Sequence, residues 1–348
     1  MNQSALTRSI QILFLFFLVI TGLYFAKPFL VPLVIAAIFA MLFLPMSGWL
    51  EQKGLHRGVA ALLCVLTLVC IVAGMIFLIS WQVKDLAQDM GNMQQYVGKS
   101  VSKIKELISN NLGVSAAQQE QMLKQQQSSA GGGAGKMVMA VMSGLSAVMV
   151  NSILVIVYLF LLLFLRTHLR RFILKVTPQN TRQQTDRILH DSAKVARSYL
   201  TGLAKMIVLL WIMYGIGFSI VGVKNALFFA ILCGVLEIVP FIGNIAGTAL
   251  TLIMALSQGD DSNMLIGILV TYAVVQFLQT YVLEPLVVGA QVKINPLFTI
   301  IAIVLGELIW GIPGMILAVP VTGIAKIIFD NTNGLKSYGF LVGEPKEE

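Results

Sequence analysis

Long apolar runs alternate with short polar breaks along most of this chain. Runs of about 20 apolar residues recur, which is the length that an α-helix needs to cross the hydrocarbon core of a bilayer. No small-residue cleavage site separates the first run from the second, so the first is expected to be a retained span. The pattern predicts uninterrupted spans at residues 10–26, 29–50, 58–81, 137–165, 203–222 and 264–283.

Two further apolar stretches, 225–256 and 297–329, are each interrupted by proline and glycine. Each half holds about 14–16 residues, which is too few to cross the bilayer core. Non-helical backbone is tolerated at membrane depth only where protein or water satisfies it. The fold expected is therefore an all-α integral membrane protein of about eight membrane segments. The two broken stretches would be re-entrant hairpins that meet from opposite faces of the membrane, with kinked full spans as the alternative.

One long polar stretch, 82–136, separates the third run from the fourth. Apolar residues recur at helical spacing from Val83 to Ile108, so this part is expected to form an amphipathic helix. The helix would rest on the membrane or on its own subunit, or it would join two subunits in the manner of a coiled coil. The stretch ends in SSAGGGAG at 128–135, which is typical of a flexible linker.

Composition and charge support a membrane protein and give it an orientation. The 348 residues are 57% hydrophobic and 11% charged, whereas a soluble domain carries roughly twice that charged fraction. The 24 Lys and Arg residues outnumber the 16 Asp and Glu residues, and 166–202 is the most basic stretch. Cytoplasmic loops carry such an excess, so 166–202 and both termini are expected inside and 82–136 outside. Anionic headgroups of membrane lipids account for the same charge, and no nucleic-acid partner is expected.

The broken stretches carry the first candidate functional residues. A carboxylate inside a membrane is expensive to bury, so Glu237 and Glu307 are expected to serve a function. Each precedes its break by about two helical turns. Helix ends freed at the breaks would offer carbonyl oxygens to a cation and amides to an anionic or hydroxylated solute. The residues assigned to the breaks are Pro240, Gly243 and Asn244 in the first stretch and Gly311 and Gly314 in the second.

Polar residues between the two breaks complete the predicted path. Gln276 and Gln279 share a polar stripe of the 264–283 helix, where such side chains either join helices or line a path. Glu284 ends that helix together with the proline that follows it, and it is the next candidate for ion coupling. Asn295 is expected chiefly to cap the following helix, with a proline in the first turn.

Signatures of other functions do not occur in the sequence. It holds no GxxxxGK[ST] phosphate loop and neither HExxH nor GxSxG. Cys64, Cys70 and Cys233 lie inside apolar runs without the spacing of a metal site or a disulfide framework. An enzyme, an ATP-driven pump, a metal site and a cofactor are therefore not expected.

The chain resembles the autoinducer-2 exporter family of bacterial membrane proteins, above all in its C-terminal third. The matching stretches are LEIVPFIGNIAG at 236–247, the block from VQFLQ to LAVPV at 275–321 and, more loosely, SYLTGLAK at 198–205. The resemblance implies an inner-membrane transporter with about eight membrane segments that forms a homo-oligomer, with a pentamer as the expected form. Family members are associated with export of the quorum-sensing signal autoinducer-2, and some with sodium/proton exchange.

The sequence also departs from the pattern of that family. Asn244 stands where proline is common, Glu307 where a second small residue is usual, and Lys205 where glutamine is common. These changes add polar groups near the expected path, so the substrate could differ from that of better-known members.

Three functions stay open on the sequence. The leading one is a secondary transporter that exports a small polar solute, such as an autoinducer-2-like signal, coupled to a gradient of Na⁺ or H⁺. A sodium/proton antiporter is the first alternative, and a non-transporting oligomeric scaffold or pore is the second. The expected organisation is a three-span unit at 1–81, a periplasmic helix and linker at 82–136, a fourth span at 137–165, a basic cytoplasmic segment at 166–202, a transport core at 203–330 and a cytoplasmic tail at 331–348.

Overall fold

The computed structural model describes residues 3–77, 133–239, 242–258, 262–288 and 294–344. These residues form helices and connecting turns without a strand, and a lone β-bridge joins Ile294 to Gly343. The described residues therefore have the all-helical fold expected from the apolar runs. The amphipathic helix expected at 83–108 and most of the linker lie outside the described residues.

Most helices follow the apolar runs, whereas α4 and α5 extend beyond theirs into the basic segment. A short 3₁₀ turn, Gln179–Thr181, precedes α5, and a π-helix, Gln279–Val288, continues α8. In chain order the α-helices are α1 (Gln3–Phe25), α2 (Lys27–Gln52), α3 (Arg57–Phe77), α4 (Gly133–Val176), α5 (Arg182–Val221), α6 (Ala226–Leu236), α7 (Ile242–Gln258), α8 (Ser262–Leu278), α9 (Pro296–Trp310), α10 (Ile312–Asn331) and α11 (Lys336–Val342).

Within the described residues, six helical stretches are long and apolar enough to cross a membrane. Shorter apolar helices accompany them at Ile10–Phe25, Ala226–Leu236 and Pro296–Trp310. The protein is thus a multi-pass membrane protein by length and composition, and the count of eight segments stays a prediction. The six stretches are Lys27–Gln52, Arg57–Phe77, Ser152–Val176, Gln179–Val221, Asn263–Glu284 and Ile312–Asn331.

Large apolar side chains cover the outer faces of these helices. Ile220 is 80% exposed, Phe25 is 77% exposed and Phe14 is 62% exposed. Soluble monomeric proteins rarely expose so much apolar surface to water. A hydrocarbon solvent does, because the apolar side chains then lose nothing by facing outward.

The chain divides into two compact units, each built from separate parts of the sequence. The first unit comprises Met1–Leu68, Asn151–Lys205 and Glu284–Glu348, and the second comprises Val69–Val150 and Met206–Leu283. The two broken apolar stretches therefore belong to different units. The helices α6 and α7 belong to the second unit, whereas α9 and α10 belong to the first.

In the first unit, α9 and α10 turn back on one another at Gly311. This residue has φ 69° and ψ −146°, a combination that is open essentially to glycine alone. Gly306 and Gly314 face each other across the turn, and a Cβ on either would overlap the backbone of the other. The sequence WGIPG therefore forms a tight turn between two helices that pack closely.

The tip and the open end of this α9–α10 pair are both anchored within the first unit. At the tip, the Trp310 indole Nε1 donates a hydrogen bond to the Leu23 carbonyl at 3.1 Å. At the open end, the Asn295 backbone N–H donates to the Val342 carbonyl at 2.8 Å, which lies beside the Ile294 bridge. Both ends of the pair are therefore hydrogen-bonded to other parts of the first unit.

The basic segment expected at 166–202 is helical except at the short connection between α4 and α5. The α4 helix continues past Arg166 to Val176, and α5 begins at Arg182. Arg166 donates to the Glu51 carboxylate at 2.7 Å and to the Ser47 hydroxyl at 3.0 Å, which ties α4 to α2. These contacts give part of the basic charge a structural role in the first unit.

Candidate functional site

The first broken stretch forms a close pair of antiparallel helices, α6 and α7, in the second unit. A Cβ on Gly243 would overlap the Leu236 carbonyl, and one on Gly247 would lie 2.8 Å from the Cys233 sulfur and 3.1 Å from its Cα. Neither position has room for a side chain. The glycines of FIGNIAG therefore let the two backbones approach at the break.

Glu237 lies at the C-terminal end of α6, where this pair of helices turns. Its backbone N–H donates to the Cys233 carbonyl at 3.1 Å. Its side chain is half-buried, and one carboxyl oxygen accepts a hydrogen bond of 2.6 Å from the Gln279 side-chain amide. The structure thus brings together two residues that the sequence assigned separately to the first break and to the polar stripe.

Gln279 is the most buried polar partner in this site. Only 1% of its surface is exposed, and it is the first residue of the π-helix Gln279–Val288. Its Nε2 donates to Glu237, whereas its Oε1 is buried and accepts no hydrogen bond from any residue that the structure describes. Buried polar atoms without a partner are rare in proteins, so this oxygen is suited to receive a cation or a donor from a ligand.

Small polar groups are also buried along α6 and α7. The Thr251 hydroxyl donates to the Gly247 carbonyl at 2.9 Å and lies 4.0 Å from the Cys233 sulfur. Thr248 is 6% exposed, and its hydroxyl oxygen has no partner in the described part of the chain. Sequence reasoning missed Thr248 and Thr251. Both follow Gly243 and Gly247 at helical spacing along α7, which was a signal that could have found them.

Aromatic and apolar side chains surround these polar groups in the second unit. Tyr214 is 1% exposed and stacks on Phe218 at 5.4 Å between ring centroids. Charge interactions are stronger in such apolar surroundings than in water.

The other candidate residues of this region are less buried than Gln279 or lie outside the described side chains. Gln276 donates from its Nε2 to the Thr280 hydroxyl at 3.1 Å on a partly exposed face. Glu284 is exposed within the π-helix. Pro240 lies outside the described residues, and the structure gives only the backbone of Asn244, within α7.

Three of the predicted residues on α9 and α10, and the cap before α9, belong to the first unit. Glu307 is exposed on α9, and Gly311 and Gly314 form the turn after it. The Asn295 Oδ1 accepts from the Leu297 backbone N–H at 2.9 Å, and a proline begins the helix. The capping role expected for Asn295 is confirmed. No group of three or more His, Cys, Asp or Glu side chains within the described residues could hold a metal ion.

Comparison with known proteins gives similarity over nearly the whole chain. A family profile described as AI-2E family transporter matches residues 13–334. The chain is 25% identical to YhhT of Escherichia coli strain K12 over 332 residues, which cover 93% of this chain and 91% of that protein. It is 26% identical to YueF of Bacillus subtilis strain 168 over 347 residues, or 93% and 92% of the two chains.

A further relative is similar over a shorter region. YrrI of Bacillus subtilis strain 168 is 28% identical over 153 residues, which cover 44% of this chain and 43% of that protein. The names of all three relatives describe candidate transport proteins and state no substrate. The similarity therefore concerns a class of membrane transport proteins.

Proposed function

Since the chain belongs to the AI-2E transporter family, we propose that it exports a small polar solute, such as an autoinducer-2-like signal, and that Glu237 couples export to an ion gradient. The observation that supports this most directly is the 2.6 Å hydrogen bond from Gln279 to Glu237. It places a carboxylate and a buried amide together at the turn of a broken apolar stretch. Broken helices of this kind are the usual place for substrate and coupling-ion sites in secondary transporters.

Glu237 can exist in two states that suit ion exchange. As a carboxylate it accepts from the Gln279 Nε2, and its charge can be balanced by a bound cation. As a neutral acid it needs no cation, and its proton can be donated to a neighbouring acceptor. The unpartnered Gln279 Oε1 supplies a second oxygen ligand, so a cation and a proton compete for one site.

A gradient is the energy source proposed for transport. The sequence carries no GxxxxGK[ST] phosphate loop, the usual motif of ATP-hydrolysing transporters. The direction of transport, the coupling ion and the solute are part of the proposal. We also propose a location in the bacterial inner membrane, with both termini in the cytoplasm, and a homo-oligomeric assembly such as a pentamer.

A sodium/proton antiporter is the second candidate, because the Glu237–Gln279 pair would serve ion exchange equally well without any organic solute. The exposed position of Glu307 gives less support for a second carboxylate in the same site. A non-transporting scaffold or pore is the third candidate. A scaffold would not require the buried amide and the half-buried carboxylate, since apolar residues of similar volume would pack at least as well.

The experiment is flux in proteoliposomes made with the purified full chain. Efflux of small diols and sugars is measured under an imposed Na⁺ gradient or pH gradient. We expect solute efflux that depends on one of the gradients in the wild type, and loss of that dependence in Glu237→Gln. Glu344→Gln is the matched control, because Glu344 is an exposed carboxylate near the C-terminus.

The outcomes separate the three candidates. Na⁺/H⁺ exchange in the absence of any solute identifies the antiporter. Absence of both exchange and solute flux in correctly assembled protein supports the scaffold. Wild-type gradient dependence in Glu237→Gln, with an unchanged size-exclusion profile, would show that coupling does not pass through this carboxylate.

A further inference from the structure

We propose that a cleft between α2, α4 and α5 of the first unit binds an anionic phospholipid. The cleft has a volume of about 740 Å³, which is within the usual range for sites of small molecules. Ten of its seventeen lining residues are apolar. The other seven include three arginines and one aspartate, so that one cavity offers both an apolar wall and a basic rim.

The apolar wall comes mostly from α2 and α4, and α5 adds Leu189 and Ala193. Ala37 and Leu44 contribute from α2, and Leu162 contributes from α4. These residues lie in the long apolar runs that cross the bilayer. Such a wall suits an acyl chain, because lipid tails are as apolar as the side chains that line it. The polar solute proposed for transport would find few partners along it.

The basic rim comes from the point where α4 leaves its apolar run and α5 begins. Three arginines and His190 line the cleft there against a single carboxylate, Asp186. Arg170 is paired with Asp186 through two hydrogen bonds of 2.8 Å, and Arg166 is paired with Glu51. Arg187 is exposed and is the arginine of the rim without an ion pair among the described residues.

Arg187 and His190 are three residues apart on α5, so they lie on the same face of the helix. Together they present hydrogen-bond donors toward the cleft, and an anionic phosphate accepts such donors well. Basic pockets between membrane helices on the cytoplasmic side are known as sites for anionic lipid headgroups. The order of groups, with apolar residues on one side and cations on the other, matches the order in a phospholipid.

The test is native mass spectrometry of the purified full chain in detergent. The probes are dioleoylphosphatidylglycerol, dioleoylphosphatidylcholine with the same acyl chains, and glycerol 3-phosphate without acyl chains. We expect the anionic lipid to bind at least about tenfold more tightly than the zwitterionic one, since arginines outnumber carboxylates in the cleft and Arg187 is not ion-paired within the described residues. Glycerol 3-phosphate should not compete with it at equal concentration.

Two variants locate the lipid in the cleft. Arg187→Gln should weaken phosphatidylglycerol binding by about fivefold, the effect of one arginine at a membrane surface. Arg171→Gln is the matched control, because Arg171 is exposed on the same basic stretch but does not line the cleft. It should change the affinity by less than about twofold. Ala193→Phe fills the apolar wall and should remove the tight binding.

Several outcomes would overturn the proposal. Equal binding of both lipids excludes an anionic site, and equal effects of Arg187→Gln and Arg171→Gln indicate diffuse charge attraction. Competition by glycerol 3-phosphate points to a free phosphate as the ligand. A change of oligomer size in Ala193→Phe would mean that a second copy of the chain covers the cleft. If Ala193→Phe does not fold, the comparison of the two arginine variants decides.

Discussion

The Gln279 side-chain amide donates a hydrogen bond of 2.6 Å to the Glu237 carboxyl group, across 42 residues of sequence. The bond joins the end of α6 to the start of the π-helix. π-helical turns are rare and occur frequently at functional sites. Two local irregularities of the chain, the break after α6 and the π-helix, therefore meet at the Glu237 carboxylate.

Gln279→Leu tests the amide of this pair. The variant removes the donor to Glu237, and a hydrogen bond to a charged group contributes about 1.5–3 kcal/mol. We expect ion-coupled flux in proteoliposomes to fall by about tenfold or more, with the purified protein still eluting as the wild type. Gln276→Leu is the control. It removes an amide that lies three residues earlier and donates to the Thr280 hydroxyl on a partly exposed face. A comparable loss in both variants would mean that the polar stripe acts as a whole, against the special role of Gln279.

Gly243→Ala tests the close approach at the turn between α6 and α7. The added methyl group would overlap the Leu236 carbonyl oxygen, and overpacking of this kind costs about 1–3 kcal/mol. We expect a lower melting temperature in detergent. Gly48→Ala is the control, since a Cβ there meets no atom within 4 Å and alanine favours a helix over glycine. Equal melting temperatures for wild type and Gly243→Ala would contradict the packing described for this turn.

Gly311→Ala tests the backbone conformation of the turn between α9 and α10. A residue with a side chain at φ 69° and ψ −146° is strained by about 1–3 kcal/mol. We expect the melting temperature to fall, although a Cβ at Gly311 would meet only the Lys27 Nζ, at 3.6 Å. Gly334→Ala should leave the melting temperature nearly unchanged, because Gly334 lacks a positive φ and has open space around it. A similar fall in both variants would argue against strain as the cause.

Labelling of single cysteines tests the proposed orientation. Gln183 lies near the start of α5 and Lys224 lies three residues beyond its end, and the 40 residues of this helix span about 60 Å. In a variant whose three cysteines are replaced by alanine, we expect Gln183→Cys to react with an impermeant thiol reagent only from the cytoplasmic side. Lys224→Cys should react only from the outside. Reaction of both from one side of the membrane would rule out the topology inferred from the basic residues.

The sequence by itself determined the elements whose causes are local. A bilayer requires about 20 apolar residues for each crossing, so the runs in the sequence mark most of the helices. Glycine and proline interrupt the regular helix, so the breaks near Gly243 and Gly311 were visible before the fold was known. The cap at Asn295 depends on neighbouring residues alone, and that prediction is confirmed.

Only the tertiary structure decided which polar groups meet. A regular helical period puts Gln276 and Gln279 on one stripe, yet the structure buries Gln279 against Glu237 and pairs Gln276 with Thr280. The π-helix that begins at Gln279 changes the angle between successive residues, which hydropathy does not encode. The basic cleft likewise needs α2, α4 and α5 to pack together. Contacts across long sequence separations depend on how helices pack, and a single sequence does not specify that packing.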